Sequence, residues 1–580
     1  MTTNYDLYKS GGEIPPGSVQ AWNMYGKGLE NIGKDGSPET FDLPEPAPDQ
    51  MLVRIDSVGM CFSDVKLIRQ GRNHPKLYNR DLTQEPTRLG HEVAFTVIKV
   101  GSDLADQFQP GQRLAVQPDI YQNGNSTAYG YTVPGGLIQY HLMGKEMLET
   151  DAGVCLLPLE GELGYAETAL LEPWGCVMAS YTQRRRLEPL EGGIMWILGN
   201  SEDSAEYQFS KFLDRPGKIV LTDASPSLAK LAQESGAEFI VRDGLSIADF
   251  AALSQELTDG NGFDDIVMTD PHSAEAVAEI ARQIARRGTL NMVGKRPLDG
   301  LVDSDVGRLH YDYIAFIGNS GSDIADSYGE ERNRCELRQG GTAVFIGAGG
   351  PMGQMHVQRA IEHPQGPHTI IATEITQSRL DALNESFGPL AESNGRVLYT
   401  FNPKDDERSI EEFVAKITNE EGADDVVVSV PSAYLMEESD RLMRDDGMLV
   451  LFAGVPNGTE APLNVQNVYL SNAQYTGTSG LNLNDQAAVM QSALDGSLSP
   501  GRSVAAIGGM DAALDGIKAM MESKYPGKVV IFPQIQSLPL VGLDEIDEHY
   551  PDIAAALSDD GSWTQAAEKT LIENYWSPEK

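Results

Sequence analysis

The sequence predicts an α/β protein in which a small β-barrel precedes two tandem, doubly wound parallel sheets. Three observations carry this prediction. Residues 19–158 read as short strands separated by glycine, proline and aspartate turns, residues 187–533 alternate strands with helices, and this second region contains one unit twice. The chain has 580 residues, and 41% of them are hydrophobic. At roughly 150 residues per domain, this length suits three or four domains, and the composition excludes disorder over most of the chain.

The barrel is predicted from three stretches. Residues 51–58 mostly alternate between apolar and polar side chains, residues 92–100 are rich in β-branched side chains, and residues 109–116 read as a turn followed by a strand. After residue 156 the pattern changes, and residues 167–186 have the apolar spacing of a connecting helix.

The parallel sheets are predicted from an internal repeat. Two similar strands could arise by chance, but five ordered correspondences indicate a duplicated doubly wound fold. The predicted domains are residues 1–186, 187–339 and 340–533, followed by an acidic, helical appendage at 534–580. The matching segments are 192–199 with 340–347, 222–223 with 373–374, 263–267 with 423–427, 287–290 with 446–449, and 318–321 with 477–480.

A glycine-rich loop follows the first strand of the second copy and carries Gly347, Gly349, Gly350 and Gly353. Glycines let a backbone turn tightly against a pyrophosphate, and the start of the next helix offers free N–H groups to it. Glu374 ends the next predicted strand, where an acid can accept hydrogen bonds from a ribose and repel a 2′-phosphate. The pattern therefore predicts dinucleotide binding, with NAD favoured over NADP. The alternative is a tight turn in a structural domain, and the spacing is one residue longer than plain GxGxxG.

The first copy has Gly199-Asn-Ser-Glu202-Asp203 at the equivalent turn. The later glycines are absent there, and two acids would face any phosphate, although Asp223 persists. We expect this copy to bind no dinucleotide and to have a structural role, for example in shaping a cleft or an oligomer interface.

A second group of residues has the chemistry of a zinc site. Cys61 follows a predicted strand, His91 and Glu92 begin another, and Glu172 opens the connecting helix. A thiolate, an imidazole and carboxylates are ligands of zinc, and a catalytic zinc keeps one position open. Taken singly, these residues could be a buried small side chain, a satisfied histidine and a helix cap. Their order and spacing together favour a metal site.

These motifs resemble the zinc-dependent medium-chain dehydrogenase/reductase superfamily, which is alcohol dehydrogenase-like. The resemblance covers about residues 19–533, and the Glu-Pro pair at residue 172 is most similar to the polyol dehydrogenase branch. Residues 74–82 and the Gly-Pro-Met-Gly of the loop further resemble sugar-phosphate reductases of the L-sorbose-1-phosphate reductase type. The remaining motifs are Cys61-Phe-Ser63-Asp64, Gly90-His91-Glu92, Gly135-Gly136 and the closing Gly527-Lys528.

The resemblance implies a GroES-like catalytic barrel, Rossmann-like sheets and a role for each site residue. Cys61 and His91 match zinc ligands, Glu92 matches a ligand or an acid behind the ligands, and Glu172 matches the fourth ligand or the residue that holds a zinc-bound water. We prefer Glu172 to Cys176, which lies within the predicted helix. Ser63 matches the hydroxyl that accepts the substrate proton, and Lys66 stands where many relatives have a relay histidine.

The expected reaction is hydride transfer between NAD(H) and a polyol, sugar or sugar-phosphate alcohol or ketone. The stretch 118–124 lacks the cysteines of a structural zinc lobe, so we expect one zinc per chain. If the substrate bears a phosphate, the basic residues after the zinc cysteine are candidates to bind it: Lys66, Arg69, Arg72, Lys76 and Arg80. Two other functions stay open, namely a zinc-free reductase of the quinone reductase kind and a non-catalytic, NAD-binding assembly protein.

Charge and cysteine content exclude several other classes. The chain has 85 acidic and 44 basic residues and a formal charge of −41, which disfavours nucleic acid and anionic lipid as partners. The four cysteines are far apart, the first twelve residues are polar, and no apolar run is long enough to span a bilayer. We expect a cytoplasmic enzyme with no membrane or nucleic-acid partner, and the sequence leaves open a homo-oligomer.

Overall fold

The computed structural model describes residues 3–183, 185–200, 203–478 and 480–578, and it confirms the predicted α/β class. The chain forms two compact units. We call the first the barrel unit; it contains Met1–Ala179, Gly350–Met355 and Gly480–Lys580. The second, the duplicated unit, contains Ser180–Gly349 and His356–Ser479. Among the described residues, no helix has the length and apolar character needed to cross a membrane.

The N-terminal part of the barrel unit consists of short strands and connecting helices. Its strands are β1 (Ser18–Ala21), β2 (Asn23–Met24), β3 (Glu39–Asp42), β4 (Met51–Gly59), β5 (Thr87–Arg88), β6 (Glu92–Val100), β7 (Arg113–Val116), β8 (Tyr121–Gln122), β9 (Asn125–Ser126), β10 (Tyr140–Met143) and β11 (Leu156–Pro158). Its helices are α1 (Asn4–Ser10), α2 (Phe62–Gln70), α3 (Lys145–Leu148), α4 (Tyr165–Ala169) and α5 (Leu171–Thr182).

The duplicated unit contains two similar runs of strands and helices. The first copy comprises β12 (Ile194–Leu198), β13 (Lys218–Thr222), β14 (Glu238–Val241), β15 (Phe263–Thr269), β16 (Ile284–Val293), β17 (Val302–Asp305), β18 (Ala315–Asn319), α6 (Pro226–Glu234), α7 (Phe250–Thr258), α8 (Ala274–Ala281) and α9 (Val306–Tyr311). The second copy comprises β19 (Thr342–Ile346), β20 (Thr369–Thr373), β21 (Val397–Phe401), β22 (Ala423–Val428), β23 (Met443–Leu451), β24 (Glu460–Leu463), β25 (Gln474–Thr476), α10 (Pro351–Glu362), α11 (Gln377–Ser393), α12 (Ile410–Ile417), α13 (Ala433–Asp440) and α14 (Gln466–Leu470). The start of α10, up to Met355, is grouped with the barrel unit.

The C-terminal part of the chain returns to the barrel unit. Strand β27 pairs antiparallel with β4, and β26 pairs parallel with β27. This divides the chain differently from the predicted boundaries at 340–533 and 534–580, because residues from Gly480 onward pack with the N-terminal barrel. The elements of this part are α15 (Leu483–Leu494), β26 (Val504–Gly509), α16 (Ala513–Met521), β27 (Lys528–Phe532), β28 (Val541–Gly542), α17 (Ile546–His549), α18 (Pro551–Ala554) and α19 (Gln565–Tyr575).

The main sheet of the barrel unit has eight strands. Seven of them lie in the order β11-β7-β6-β4-β27-β26-β28, and β10 pairs with β4. Central strand β4 is buried along its whole length, so residues directly after it begin inside the fold rather than at its surface. This places Cys61 two residues beyond the end of a buried strand.

The two copies have the same topology. Each has a six-stranded parallel sheet, in the order β14-β13-β12-β15-β16-β18 for the first and β21-β20-β19-β22-β23-β25 for the second. The copies also share an ion pair between an arginine that precedes the first strand and an aspartate on the fourth strand. Arg186 Nη1 lies 3.1 Å from Asp265 Oδ2 on β15, and Arg334 Nη1 lies 2.5 Å from Asp425 Oδ1 on β22. The predicted duplication is therefore confirmed in strand order and in local contacts.

The copies differ at their first crossover. In the second copy, α10 connects β19 to β20. In the first copy, the described residues between β12 and β13 contain no helix. The first copy thus lacks, in its described part, the helix start that binds phosphate in doubly wound folds.

The copies also pair with each other inside the duplicated unit. Strand β17 of the first copy runs antiparallel to β24 of the second. Val302 pairs with Leu463, and Ser304 pairs with Ala461. In the alignment of the two copies, Ala461 corresponds to Val302 and Leu463 corresponds to Ser304. Each strand therefore presents the same positions to the other, and the pairing is self-complementary, as in an isologous dimer.

Candidate metal and dinucleotide sites

Three predicted zinc-site residues lie together in the barrel unit. Cys61 precedes α2, and His91 and Glu92 stand at the start of β6, which pairs with β4. The ligand atoms of the three side chains lie within 4.8 Å of one another. Gly90 has a φ of +88°, and a Cβ there would lie 2.6 Å from Val58, so a glycine is needed for the chain to enter β6 in this way.

Asp64 connects the two segments that carry these residues. Its carboxylate accepts hydrogen bonds from the backbone N–H of Cys61 at 3.1 Å and of Gly90 at 3.1 Å. Its Oδ1 also lies 3.4 Å from His91 Nδ1. The side chain is buried, and although burial opposes ionisation, the nearby imidazole and the backbone N–H groups lower the pKa of Asp64. Asp64 was part of a sequence motif but was not predicted as a site residue.

Lys528 is a second residue that the sequence prediction missed. It begins β27, and its ammonium group forms a buried ion pair with Glu92 Oε1. Burial opposes the charge of this lysine, but Glu92 and Cys61 raise its pKa above the usual value. The other carboxylate oxygen, Glu92 Oε2, is buried with no hydrogen-bond partner among the described residues.

Glu172 and Cys176 lie on α5, near this group but outside the three ligand atoms that converge. Glu172 is buried, and this burial raises its pKa to about 8, with Glu92 adding to the effect and His91 opposing it. Burial also raises the pKa of Cys176, and Glu172 adds to that shift. Both side chains therefore interact electrostatically with the cluster.

The predicted proton-transfer residues lie on the first turns of α2. Ser63 is half-buried and Lys66 is exposed, one helical turn later. Nearby, the ring of Tyr131 lies between two imidazoles, with centroids 5.7 Å from His91 and 5.1 Å from His74. His74 was noted only as part of a sequence likeness, and the structure adds it to the surroundings of the site.

The basic residues after Cys61 do not form one cluster of free charges. Lys76 pairs with Asp119 at 3.0 Å, and Arg80 donates to the backbone oxygen of Thr132 at 2.8 Å. Lys66, Arg69 and Arg72 are exposed on α2 and the turn after it.

The glycine loop joins β19 to α10, as predicted. Gly347 has a φ of +76°, and the backbone N–H of Ala348 donates to the backbone oxygen of Thr373 at 2.8 Å. Glu374 follows β20, is buried, and accepts hydrogen bonds from the N–H groups of Ile375 and Thr376. A Cβ on Gly349 would lie 2.5 Å from Glu374 Oε2, whereas nothing lies within 4 Å of a Cβ on Gly350. Gly353 is buried in the first turn of α10.

The equivalent turn of the first copy is described only in part. Glu202 lies outside the described residues. Asp203 accepts a hydrogen bond from the Tyr207 hydroxyl at 2.8 Å, and Asp223 accepts one from the N–H of Gly244 at 3.1 Å.

A thiol, an imidazole and a carboxylate thus converge in the barrel unit, and a glycine loop follows the first strand of a doubly wound sheet in the second copy. Residues 47–158 match the alcohol dehydrogenase GroES-like domain, and residues 351–495 match the zinc-binding dehydrogenase domain. The chain therefore contains both domains of a zinc-dependent medium-chain dehydrogenase, as the resemblance predicted. Zinc and a nicotinamide cofactor belong to this class of enzyme.

Similar proteins of known name include three bacterial sugar and polyol enzymes. The chain is 24% identical to mannitol-1-phosphate 5-dehydrogenase of Aliivibrio fischeri over 93% of this chain and 96% of that protein, so the match spans both copies. It is 27% identical to L-sorbose 1-phosphate reductase of Klebsiella pneumoniae over 53% of this chain and 77% of that protein. It is 28% identical to sorbitol dehydrogenase of Bacillus subtilis over 44% and 71%.

One solved structure supports the fold. The 2R,3R-butanediol dehydrogenase of Bacillus subtilis superposes with a TM-score of 0.50 at 14% identity, covering 89% of this chain and 99% of that one.

Proposed function

We propose that this chain is a zinc-dependent oxidoreductase that transfers a hydride between NAD(H) and a polyol, sugar or sugar-phosphate alcohol or ketone. The observation that carries the proposal is the convergence of Cys61, His91 and Glu92 within 4.8 Å in the barrel unit. Thiolate, imidazole and carboxylate form a typical donor set for a catalytic zinc.

The hydrogen bonding of the donor atoms is also consistent with a bound metal. Glu92 Oε2 is buried without a partner among the described residues, and a buried carboxylate oxygen in that condition is costly unless something binds it. Cys61, His91 and Glu92 would hold the ion, and Glu172 would be the fourth ligand or would hold a water molecule beside it. Zinc would supply Lewis-acid polarisation of the substrate oxygen.

The surrounding residues orient and balance this donor set. Asp64 holds the imidazole of His91 and the backbone of Cys61 in place, which is the usual task of a carboxylate behind a metal-binding histidine. Lys528 offsets the charge of Glu92. The Ser63 hydroxyl accepts the proton of the substrate hydroxyl and releases its own proton outward, and Lys66, one turn further along α2, stands at the protein surface where the outer relay begins.

The cofactor is NAD, bound by the second copy. Gly347, Gly349, Gly350 and Gly353 bring the backbone and the start of α10 to the pyrophosphate. Glu374 accepts hydrogen bonds from the adenosine ribose and repels a 2′-phosphate. We assign no dinucleotide to the first copy, in which the described part of the crossover contains no helix.

The relatives' names favour a phosphorylated substrate, because two of the three act on sugar phosphates. In this chain we assign the phosphate to Lys66, Arg69 and Arg72, since Lys76 and Arg80 each lie within ion-pair distance of a carboxylate. Arginine suits this task because its planar fork binds phosphate oxygens in pairs.

Zinc content per chain tests the proposal, measured by elemental analysis on the wild type and on Cys61→Ser, with Cys155→Ser as the matched control. Cys155 is also a free cysteine, but it contacts Thr150 and lies outside the ligand group. About one zinc, lost only in Cys61→Ser together with NAD-linked oxidation of mannitol 1-phosphate, supports the proposal. Turnover without zinc would instead indicate a zinc-free reductase, and NAD binding without turnover would indicate an assembly protein.

A further inference from the structure

A small pocket that opens to solvent lies within the duplicated unit. Strand β18 of the first copy contributes Phe316 to its wall, and strand β25 of the second copy contributes Gln474 and Thr476. The cavity therefore opens where the edge strands of the two sheets meet. Neither the catalytic group nor the glycine loop contributes a residue to its lining.

The lining is rich in cations, in a chain of formal charge −41. Three arginines contribute to it: Arg185, Arg332 and Arg334. Arg334 is neutralised by Asp425. Across the residues that the structure describes, Arg185 and Arg332 have no carboxylate within ion-pair distance.

Arg185 is the least compensated of these arginines. Among the residues that the structure describes, its guanidinium donates to the backbone oxygen of Gly477, at 3.3 and 3.4 Å, and its Nε has no partner. Burial lowers the pKa of Arg185 to about 10, with Tyr313 opposing the shift and the positive charge of Arg287 contributing to it. Arg185 is half-buried, and a cation partly withdrawn from water without a counter-charge is costly, so it marks a position where an anion would be stabilising.

Two neutral side chains add hydrogen-bonding capacity to the same wall. Gln474 is 6% exposed, and its Nε2 has no partner among the described residues. The hydroxyl of Thr476 is buried and likewise unpartnered there. An amide N–H₂ and a hydroxyl beside uncompensated guanidinium groups form a donor-rich lining, and such a lining suits a ligand with several acceptor oxygens.

We propose that this cavity is an anion site that binds a phosphate group, separate from the catalytic centre. Arg185 and Arg332 supply the charge, and Gln474 and Thr476 supply neutral donors. Because both copies contribute to the lining, a bound phosphate would strengthen the pairing between them. The duplication would then create a ligand site that a single copy does not have.

The test uses inorganic phosphate as the probe, titrated calorimetrically into the full-length protein at constant ionic strength. The wild type is compared with Arg185→Met and with Lys295→Gln, an exposed cation of the first copy outside the cavity. We expect Arg185→Met to weaken phosphate binding by roughly 10- to 100-fold, the loss typical of a charge-assisted hydrogen bond, and Lys295→Gln to leave it unchanged.

Stability separates a binding role from a structural one. If Arg185 serves an anion, Arg185→Met should unfold in phosphate-free urea no earlier than the wild type, since a half-buried unpaired charge has been removed. Phosphate should then stabilise the wild type and not the variant. Should Arg185→Met not fold, Gln474→Leu gives the same comparison without a charge change. The proposal would be overturned if all variants bound phosphate with equal affinity. It would also be overturned if Arg185→Met and Gln474→Leu both unfolded at lower urea concentration than the wild type in the absence of phosphate.

Discussion

Gly318 of the first copy and Gly477 of the second occupy equivalent places, and each of them lies against the other copy. A Cβ on Gly318 would lie 2.7 Å from the Cβ of Tyr469, and a Cβ on Gly477 would lie 3.0 Å from the Cα of His310. Together with the β17–β24 pairing, these contacts show that the two copies associate through matching surfaces.

The tightness of this association predicts unequal effects of alanine at the two glycines. At Gly318, the new methyl group would also lie 2.4 Å from the backbone oxygen of Met292, whereas at Gly477 its closest approaches are 3.0 Å. We expect Gly318→Ala to lower the free energy of unfolding by about 1–3 kcal/mol, the usual cost of overpacking, and Gly477→Ala by less. Urea unfolding measures both. A loss at Gly477→Ala no larger than that of an exposed substitution would mean that the copies do not pack against each other at this point.

The glycine loop offers a second matched pair, which separates stability from cofactor binding. Gly349→Ala would place a methyl group against Glu374, so both the free energy of unfolding and NADH affinity should fall. Gly350→Ala points into open space and should change stability by less than about 0.5 kcal/mol. If the loop cradles a pyrophosphate, Gly350→Ala should nevertheless weaken NADH binding. Fluorescence titration with NADH measures the affinity. If Gly350→Ala binds NADH as tightly as the wild type, the loop is only a tight turn and does not bind the pyrophosphate.

Asp64→Asn should weaken metal binding without abolishing it. The asparagine keeps the size of the side chain but loses the charge that faces His91, and residues behind metal ligands typically account for 10- to 100-fold in affinity. Competition with a chelator of known affinity measures the zinc dissociation constant. Asp103→Asn, at an exposed aspartate of the same unit, is the control. If both variants hold zinc as tightly as the wild type, Asp64 has only a role in capping α2.

The features that could be predicted from the sequence are those that depend on patterns of neighbouring residues. The duplicated sheets follow from repeated strands such as 192–199 and 340–347, because strand order in a doubly wound fold follows chain order. Cys61, His91 and Glu92 were recognisable because each stands beside a strand end, and adjacent strands β4 and β6 bring those ends together.

The features that it missed depend on pairs far apart in the chain. Glu92 and Lys528 are separated by 436 residues, and neither neighbourhood contains a pattern that identifies the other. The pairing of β26 and β27 with the barrel sheet was not predicted for the same reason, since the sequence of a short apolar strand does not indicate which sheet it joins. The difference at the first crossover of the first copy, whose described part contains no helix, was anticipated only indirectly, through the absent glycines.

Glu374→Gln should shift the choice between the two nicotinamide cofactors. The glutamate is held at the end of β20 by the N–H groups of Ile375 and Thr376, and glutamine can keep these acceptor contacts while removing the charge. Because the charge repels a 2′-phosphate, the ratio of kcat/KM for NADP to that for NAD should rise by about tenfold. Glu385→Gln, at an exposed glutamate on α11, controls for net charge. An unchanged ratio would remove Glu374 from the cofactor site.

Glu568 predicts a dependence of stability on pH that originates in the C-terminal helix. This carboxylate of α19 is buried and accepts hydrogen bonds from the N–H groups of Tyr165 at 2.5 Å and Ala166 at 2.8 Å. Burial raises its pKa to about 7, with the two N–H groups and Arg113 opposing the shift. Below the unfolded pKa of about 4.3, both states are protonated and the contribution to stability is complete.

Between about pH 4.3 and pH 7 the unfolded chain releases this proton first, so the free energy of unfolding should fall as the pH rises, by roughly 3 kcal/mol for a single group shifted this far. Above about pH 7 both states are ionised, and the contribution stays lost. Glu568→Gln cannot titrate, so its unfolding free energy in urea should lack this component of the slope, whatever its absolute stability. Trp563 donates to Glu568 Oε2 at 3.5 Å, which makes its fluorescence a local reporter of the same transition. Parallel slopes for the two chains would mean that the backbone N–H groups of α4 keep Glu568 ionised throughout this range.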